Sequence, residues 1–221
     1  MTPVRCASAI GPARRPGVVQ GGVMTTGRPW GRGRVLTGRL LVATPELLGP
    51  EFERTVVLVL EHDPASGALG VVLNRPLPVP VGAELPAWAA SSVVAEPAVV
   101  FSGGPVEDDS VLLVALAQPG AAPEELRPVT ARVAVVPFSV PADEAYRWSD
   151  GVRVFAGYAG WAPGQLEAEV EGGFWYVVDS EPGDLVAADP PALWRTVLRR
   201  QRGPLADLAL VATWTADPEL N

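Results

Sequence analysis

Lysine is missing from this chain, and all 17 of its basic residues are arginines. A P-loop is excluded on that ground, because its lysine must reach the phosphates. Cysteine occurs once, at Cys6, which excludes a disulfide framework and a cysteine-based zinc site. Histidine also occurs once, at His62, so any Ser-His-Asp or Cys-His device has a single imidazole to use. No apolar run approaches the ~18 residues of a membrane span. The longest, Thr55–Leu60 and Val111–Ala117, have the length of strands. No apolar h-region follows the N-terminal arginines, so no secretory signal is read. A cytoplasmic protein without membrane contact is the expectation.

What is present is apolar, glycine- and proline-rich, and acidic. Hydrophobic residues make up 48% of the 221, enough for a sizeable core. With abundant Ala, Gly and Pro, the all-arginine usage resembles the coding bias of a GC-rich genome. Residues 1–34 carry six arginines and no acid. The remaining 11 arginines face all 25 acids, a net charge of −14 beyond residue 34. Residues 1–34 therefore read as a disordered basic extension, and 35–221 as a single domain. Met24 is an alternative start that would delete Cys6. The acidic remainder repels a phosphate backbone, and no helix-turn-helix pattern is visible; both argue against direct, sequence-specific DNA binding.

Strands dominate the pattern. Gly38–Thr44, Thr55–Leu60, Ala68–Leu73, Ala98–Phe101, Val111–Ala117 and Val129–Val136 read as strands. Asp63–Gly67 (DPASG) is turn chemistry, so 55–73 forms a hairpin, ended by Asn74-Arg75-Pro76. Residues 77–97 read as irregular, with a short helix near Pro86–Ser91. Ala142–Trp148 reads as a helical turn. Pro191–Arg202 is the best helix: prolines open it, Leu193, Trp194, Val197 and Leu198 share a face, and Gly203 stops it. Leu205–Trp214 reads as a last helical turn or a docking tail. About seven strands with two or three helices, lacking regular alternation, indicate an α+β fold.

One stretch organises the rest, FAGYAGWAPGQLEAEVEGGFW from Phe155 to Trp175. It opens as a strand and passes a glycine-rich corner at Gly157 and Gly160. A short helix follows Pro163, with Gly172 as a left-handed C-cap, and a strand returns over Phe174–Val178. Together with GRLLVATPEL (38–47), FERTVVLVLEHDPASGALGVVLNRP (52–76) and VVFSGGPV (99–106), the segment GYAGWAPGQLEAEVEGGFWYV (157–177) resembles the signatures of the YqgE/AlgH family, in the family's order. The resemblance implies a bifurcated, mostly antiparallel sheet curled into a pseudo-barrel with a few flanking helices. For function it implies a transcriptional-regulator label with no defined active site.

The candidate site residues are Asn74, Arg75, Gly103, Gly104, Tyr158, Trp161 and Gln165. Gly103-Gly104 follows a strand, where it forms either an anion nest or a tight turn in which two backbones meet. Arg75 can clamp a carboxylate or phosphate, or pair with Glu61 or Glu169. Tyr158, Trp161 and Trp175 line a cleft or plug the core. Gln165, Glu167, Glu169 and Glu171 follow at helical spacing; a solvated face fits them better than a cation site. His62 reads as a hydrogen-bonding residue at a hairpin end. No catalytic residue, metal or cofactor is assigned. The function expected is indirect regulation through a protein or small-molecule partner. The alternative is an enzyme or phosphate-ligand binder with a cleft at Asn74/Arg75, Gly103/Gly104 and Trp161/Gln165.

Overall fold

The computed structural model describes residues 35–214 apart from 48, 50 and 90, and the backbone alone of 89 and 210–214. The arginine-rich stretch 1–34, with Cys6 and Met24, lies outside the described residues.

Ten strands form one branched sheet: β1 (Arg39–Ala43), β2 (Val56–Asp63), β3 (Gly67–Val72), β4 (Pro76–Pro80), β5 (Val99–Ser102), β6 (Val106–Ala117), β7 (Arg127–Pro128), β8 (Val133–Val136), β9 (Ser149–Trp161) and β10 (Trp175–Asp179). The helices are α1 (Val81–Glu84), α2 (Pro86–Ala89), α3 (Gln165–Glu171), α4 (Pro182–Leu185), α5 (Leu193–Arg199) and α6 (Pro204–Trp214). The β-branched run Val56–Leu60 is buried at every position, with β1 on one side and β3 on the other. Pairings are antiparallel except β5 with β9 and a bridge between Val94 and Val152. The sheet curls into a half-barrel, so the α+β pseudo-barrel expected from the resemblance is the fold observed.

Strand β9 is where the sheet divides. Along one edge it pairs with β6. Along the other, Val154–Ala156 pair with β5, and Ala159–Trp161 pair with β3. Gly103 and Gly104 sit in this fork. A Cβ on Gly103 would lie 2.2 Å from the Gly157 carbonyl oxygen, and one on Gly104 2.3 Å from the Tyr158 carbonyl carbon. These glycines let two backbones meet. The glycine-rich corner expected at Gly157 and Gly160 is instead the interior of one 13-residue strand.

Four further boundaries differ from the sequence reading. The proline-punctuated PLPVP is a strand, β4, tolerated because it pairs only with β5 and leaves its other edge unbonded. The run expected as one strand over Val129–Val136 is the short β8, with β7 before it. The left-handed residue after α3 is Gly173, with φ 78°, and Gly172 is right-handed. Residues 204–214 form a full helix, α6.

Successive β9 side chains enter two cores. Phe155 joins Leu40, Leu58, Phe101, Trp194 and Leu198. Val152 and Val154 join Val100, Leu113, Trp88 and Trp148 on the other face. Helix α5 docks on the first face, where the Trp194 indole N–H donates to the Ala43 carbonyl at 2.9 Å. Among the described residues, no helix is long and apolar enough to cross a membrane.

Candidate functional site

The turn from β9 into α3 builds the first part of the site. Gly164, at φ 75°, precedes α3, and the Ala162 N–H donates to Gln165 Oε1 at 3.0 Å. Four residues on, the Glu169 carboxylate gathers three donors. Its Oε2 accepts from the indole N–H groups of Trp161 (2.9 Å) and Trp175 (2.8 Å), and its Oε1 accepts from Gln165 Nε2 (3.0 Å). The two indoles meet edge-to-face with centroids 6.2 Å apart, and Phe52 meets Trp175 in the same way at 5.7 Å. Each indole is a large apolar body whose one donor must be satisfied when buried. Glu169 thus clasps the end of β9, the start of β10 and its own helix, and is no freely solvated face.

Two residues earlier, on another side of α3, Glu167 reaches His62. The His62 imidazole is 1% exposed. Its Nδ1 accepts from the Leu36 backbone N–H at 3.0 Å, and its Nε2 lies 2.9 Å from Glu167 Oε1. A backbone N–H can only donate, so Nδ1 is the bare nitrogen and Nε2–H donates to Glu167. His62 thereby ties the N-terminal approach, the β2–β3 hairpin and α3 together.

Beside this clasp lies an open groove of about 420 Å³. Thr37, Glu61, Asp63 and Ser66 give it a polar side, and Pro128 and Trp161 an apolar one. Among the described residues, no arginine lines it. Asp63 closes the hairpin turn, accepting from the Ala65 and Ser66 N–H groups at 3.0 and 2.9 Å. The Ser66 hydroxyl and these amides hold its carboxyl below the usual range. Ser66, His62 and Glu167 have the composition of a hydrolytic triad but not its wiring. Ser66 bonds Asp63, and both imidazole nitrogens are engaged elsewhere. Among the described residues, no cluster of three or more His, Cys, Asp or Glu is placed to hold a metal ion.

The seven candidates from the sequence fall into two neighbourhoods. Asn74, Arg75, Gly103, Gly104 and Tyr158 meet at the fork. The Asn74 side chain is spent internally, accepting from Val56 N–H and donating to the Arg54 carbonyl, both at 2.9 Å. Arg75 donates from Nη2 to the Glu53 carbonyl, and its own carbonyl accepts from Ser102. The Gly103 N–H bonds the Ala156 carbonyl at 2.7 Å, and its carbonyl accepts from Val72. The Tyr158 phenol is pushed up by desolvation and by the neighbouring Glu107 carboxylate. Trp161 and Gln165 meet at Glu169, and of the seven only Trp161 lines the groove. Sequence reasoning missed the clasping roles of Glu167 and Glu169. The available signal was the Gln165/Glu169 spacing of four beside three aromatic residues.

Comparison with known proteins places these elements in a wider set. A family model described as AlgH-like matches residues 40–206. A UPF0301 protein of Streptomyces coelicolor is 55% identical over 190 residues, covering 84% of this chain and 95% of its own. One from Thermobifida fusca is 44% identical over 205 residues, covering 84% and 96%. The crystal structure of a Corynebacterium diphtheriae protein is similar with TM-score 0.73 and 34% identity, over 78% of this chain and 90% of that one. The solution structure of the AlgH protein from Pseudomonas aeruginosa is similar with TM-score 0.59 and 25% identity, over 86% and 97%.

Proposed function

The chain belongs to the AlgH-like family, and from that premise we propose that it acts by binding and not by catalysis, through the groove beside His62 and Trp161. The observation that carries this is the groove's makeup: an indole wall facing Glu61 and Asp63, backed by an imidazole with both nitrogens engaged. Such a site offers carboxylate acceptors and an aromatic face, and among the described residues its one imidazole is not free to activate a nucleophile. It suits a cationic or neutral hydrogen-bond donor, on a small molecule or on a partner protein's side chain. Among the described residues, an anion would meet two carboxylates and no arginine. The phosphate-cleft reading at Asn74/Arg75 and Gly103/Gly104 has less support, because the Gly103 amide and Asn74 side chain are engaged internally. An effect on transcription would run through this contact, since the net charge of −14 beyond residue 34 opposes direct DNA binding.

Ligand-observed NMR with sets of small cationic, neutral and anionic probes tests the reading. Cationic and neutral probes should bind in preference to anionic ones. Glu61→Gln should weaken a cationic hit about tenfold, the usual scale for one charge-assisted hydrogen bond. Hits that are indifferent to Glu61→Gln and to Trp161→Phe would place binding elsewhere, and turnover of any probe would restore the enzymatic alternative.

A further inference from the structure

The largest fully buried side chain among the described residues is a charged one, Arg153, which is 2% exposed. It lies in β9 between Val152 and Val154, so it faces the same side as Phe155. Its guanidinium carbon stands 4.2 Å over the Phe101 ring. Nε donates to the Leu185 carbonyl at 2.8 Å, and Nη2 to the carbonyls of Glu96 (3.2 Å) and Ala187 (3.1 Å). Among the described residues, Nη1 has no acceptor. No carboxylate among the described residues pairs with Arg153. The Glu96 carboxylate acts on Arg153 through space without bonding it, and turns its Oε2 to the Ala98 N–H at 3.1 Å.

Two separate demands are therefore unmet. One is a hydrogen-bond acceptor for Nη1, whose absence in a buried site costs about 1–3 kcal/mol. The other is a counter-charge. Three carbonyl dipoles, a ring face and the unbonded Glu96 carboxylate offset the positive charge only in part, since burial still lowers the guanidinium. Losing the proton is no remedy near neutrality, because burial depresses the guanidinium only to about 10. A buried water molecule would meet the first demand and leave the second.

We propose that Arg153 holds one small monovalent anion, of halide size, at Nη1, enclosed between β9 and the segments 93–97 and 185–187. Such an ion meets both demands at once. Small size follows from the enclosure: a Cβ on neighbouring Gly151 would lie 2.7 Å from Val186 Cγ1, and Ala95 N–H is bonded to the Val152 carbonyl at 2.9 Å. The site is independent of the groove, whose lining does not include Arg153.

The test uses bromide as the probe on the full chain. Crystals grown in bromide should show an anomalous peak within hydrogen-bonding distance of Arg153 Nη1. In solution, the melting temperature should rise as bromide replaces gluconate at constant ionic strength, because an ion that binds only the folded state stabilises it. Arg153→Met should abolish that rise. A water molecule at Nη1 without anomalous signal overturns the proposal, as does an equal bromide response in wild type and Arg153→Met. If the variant does not fold, the diffraction result on the wild type decides alone. A bromide peak without any solution response means an adventitious ion only, and also overturns it.

Discussion

Two arginines meet helix α4 at adjacent residues, and the fold treats them in opposite ways. Arg200 grips Asp184 with both terminal nitrogens, at 2.5 and 2.7 Å, and donates to the Asp179 carbonyl at 2.9 Å. Arg153 reaches the next residue, Leu185, through its carbonyl alone. Asp184 is itself 5% exposed and accepts from the Glu181 N–H, so a buried anion and a half-buried cation neutralise each other. Arg153 is more deeply buried, and among the described residues no carboxylate is bonded to it. Depth of burial and quality of pairing are therefore uncoupled here, and the difference separates an ion pair that closes the fold from a cation that still lacks a counter-charge.

The largest effect should come from breaking the complete pair. Arg200→Met leaves Asp184 buried with one N–H donor and no bonded cation, which should cost about 3–5 kcal/mol in urea unfolding. A cost under about 1 kcal/mol would mean that Asp184 protonates or is rehydrated, and the pair would not be what closes α4 against α5. Next comes the clasp at α3. Glu169→Ala strands the indole donors of Trp161 and Trp175, which are 7% and 4% exposed, and should cost about 2–4 kcal/mol. Glu169→Gln keeps an acceptor for the indoles and should cost less than half as much. Equal costs for the two variants would show that the charge, and not the hydrogen bonds, holds the clasp.

That clasp marks where the sequence was legible and where it was not. Local patterns carried what local physics decides. Examples are the β-branched run of β2, the Asp63–Gly67 turn, and the apolar face of α5 ended by Gly203 at φ 72°. Features decided by a distant partner were misread. Gly157 looked like a corner because the chain it crosses, at Gly103-Gly104, lies more than fifty residues away. PLPVP looked irregular because its edge position depends on β5. Glu169 looked solvated because the i, i+4 rule compares only residues of one helix and finds Gln165 alone, whereas its two indole donors come from the end of β9 and the start of β10. Arg153 drew no notice at all. A single arginine in VRVF reads as the wet position of an alternating strand, yet helix α4 and the loop after it cover that face.

The smallest effect near neutral pH, and the sharpest contrast with Arg200→Met, belongs to Arg153→Met. Replacing a buried charge without a bonded carboxylate by an apolar side chain of similar length removes a desolvation cost larger than the loss of its bonds to the Leu185, Glu96 and Ala187 carbonyls, so without halide the variant should match or exceed wild-type stability. The sign of the pH dependence follows from the depressed guanidinium. Below about pH 10 both folded and unfolded chains hold the Arg153 proton, and the penalty is fully present. Above that pH the folded chain releases it first, the unfolded chain binds more protons, and wild-type stability rises relative to the variant. The Arg153→Met advantage in urea midpoint should therefore be flat from pH 7 to about 9 and shrink beyond 10. Tyrosine ionisation falls in the same range, but it is common to both proteins and cancels in the difference. An advantage that stays constant through that range would mean that Arg153 keeps its proton because a counter-charge is already bound. Adding bromide to halide-free protein should produce that same flattening, and this links the pH profile directly to the ion.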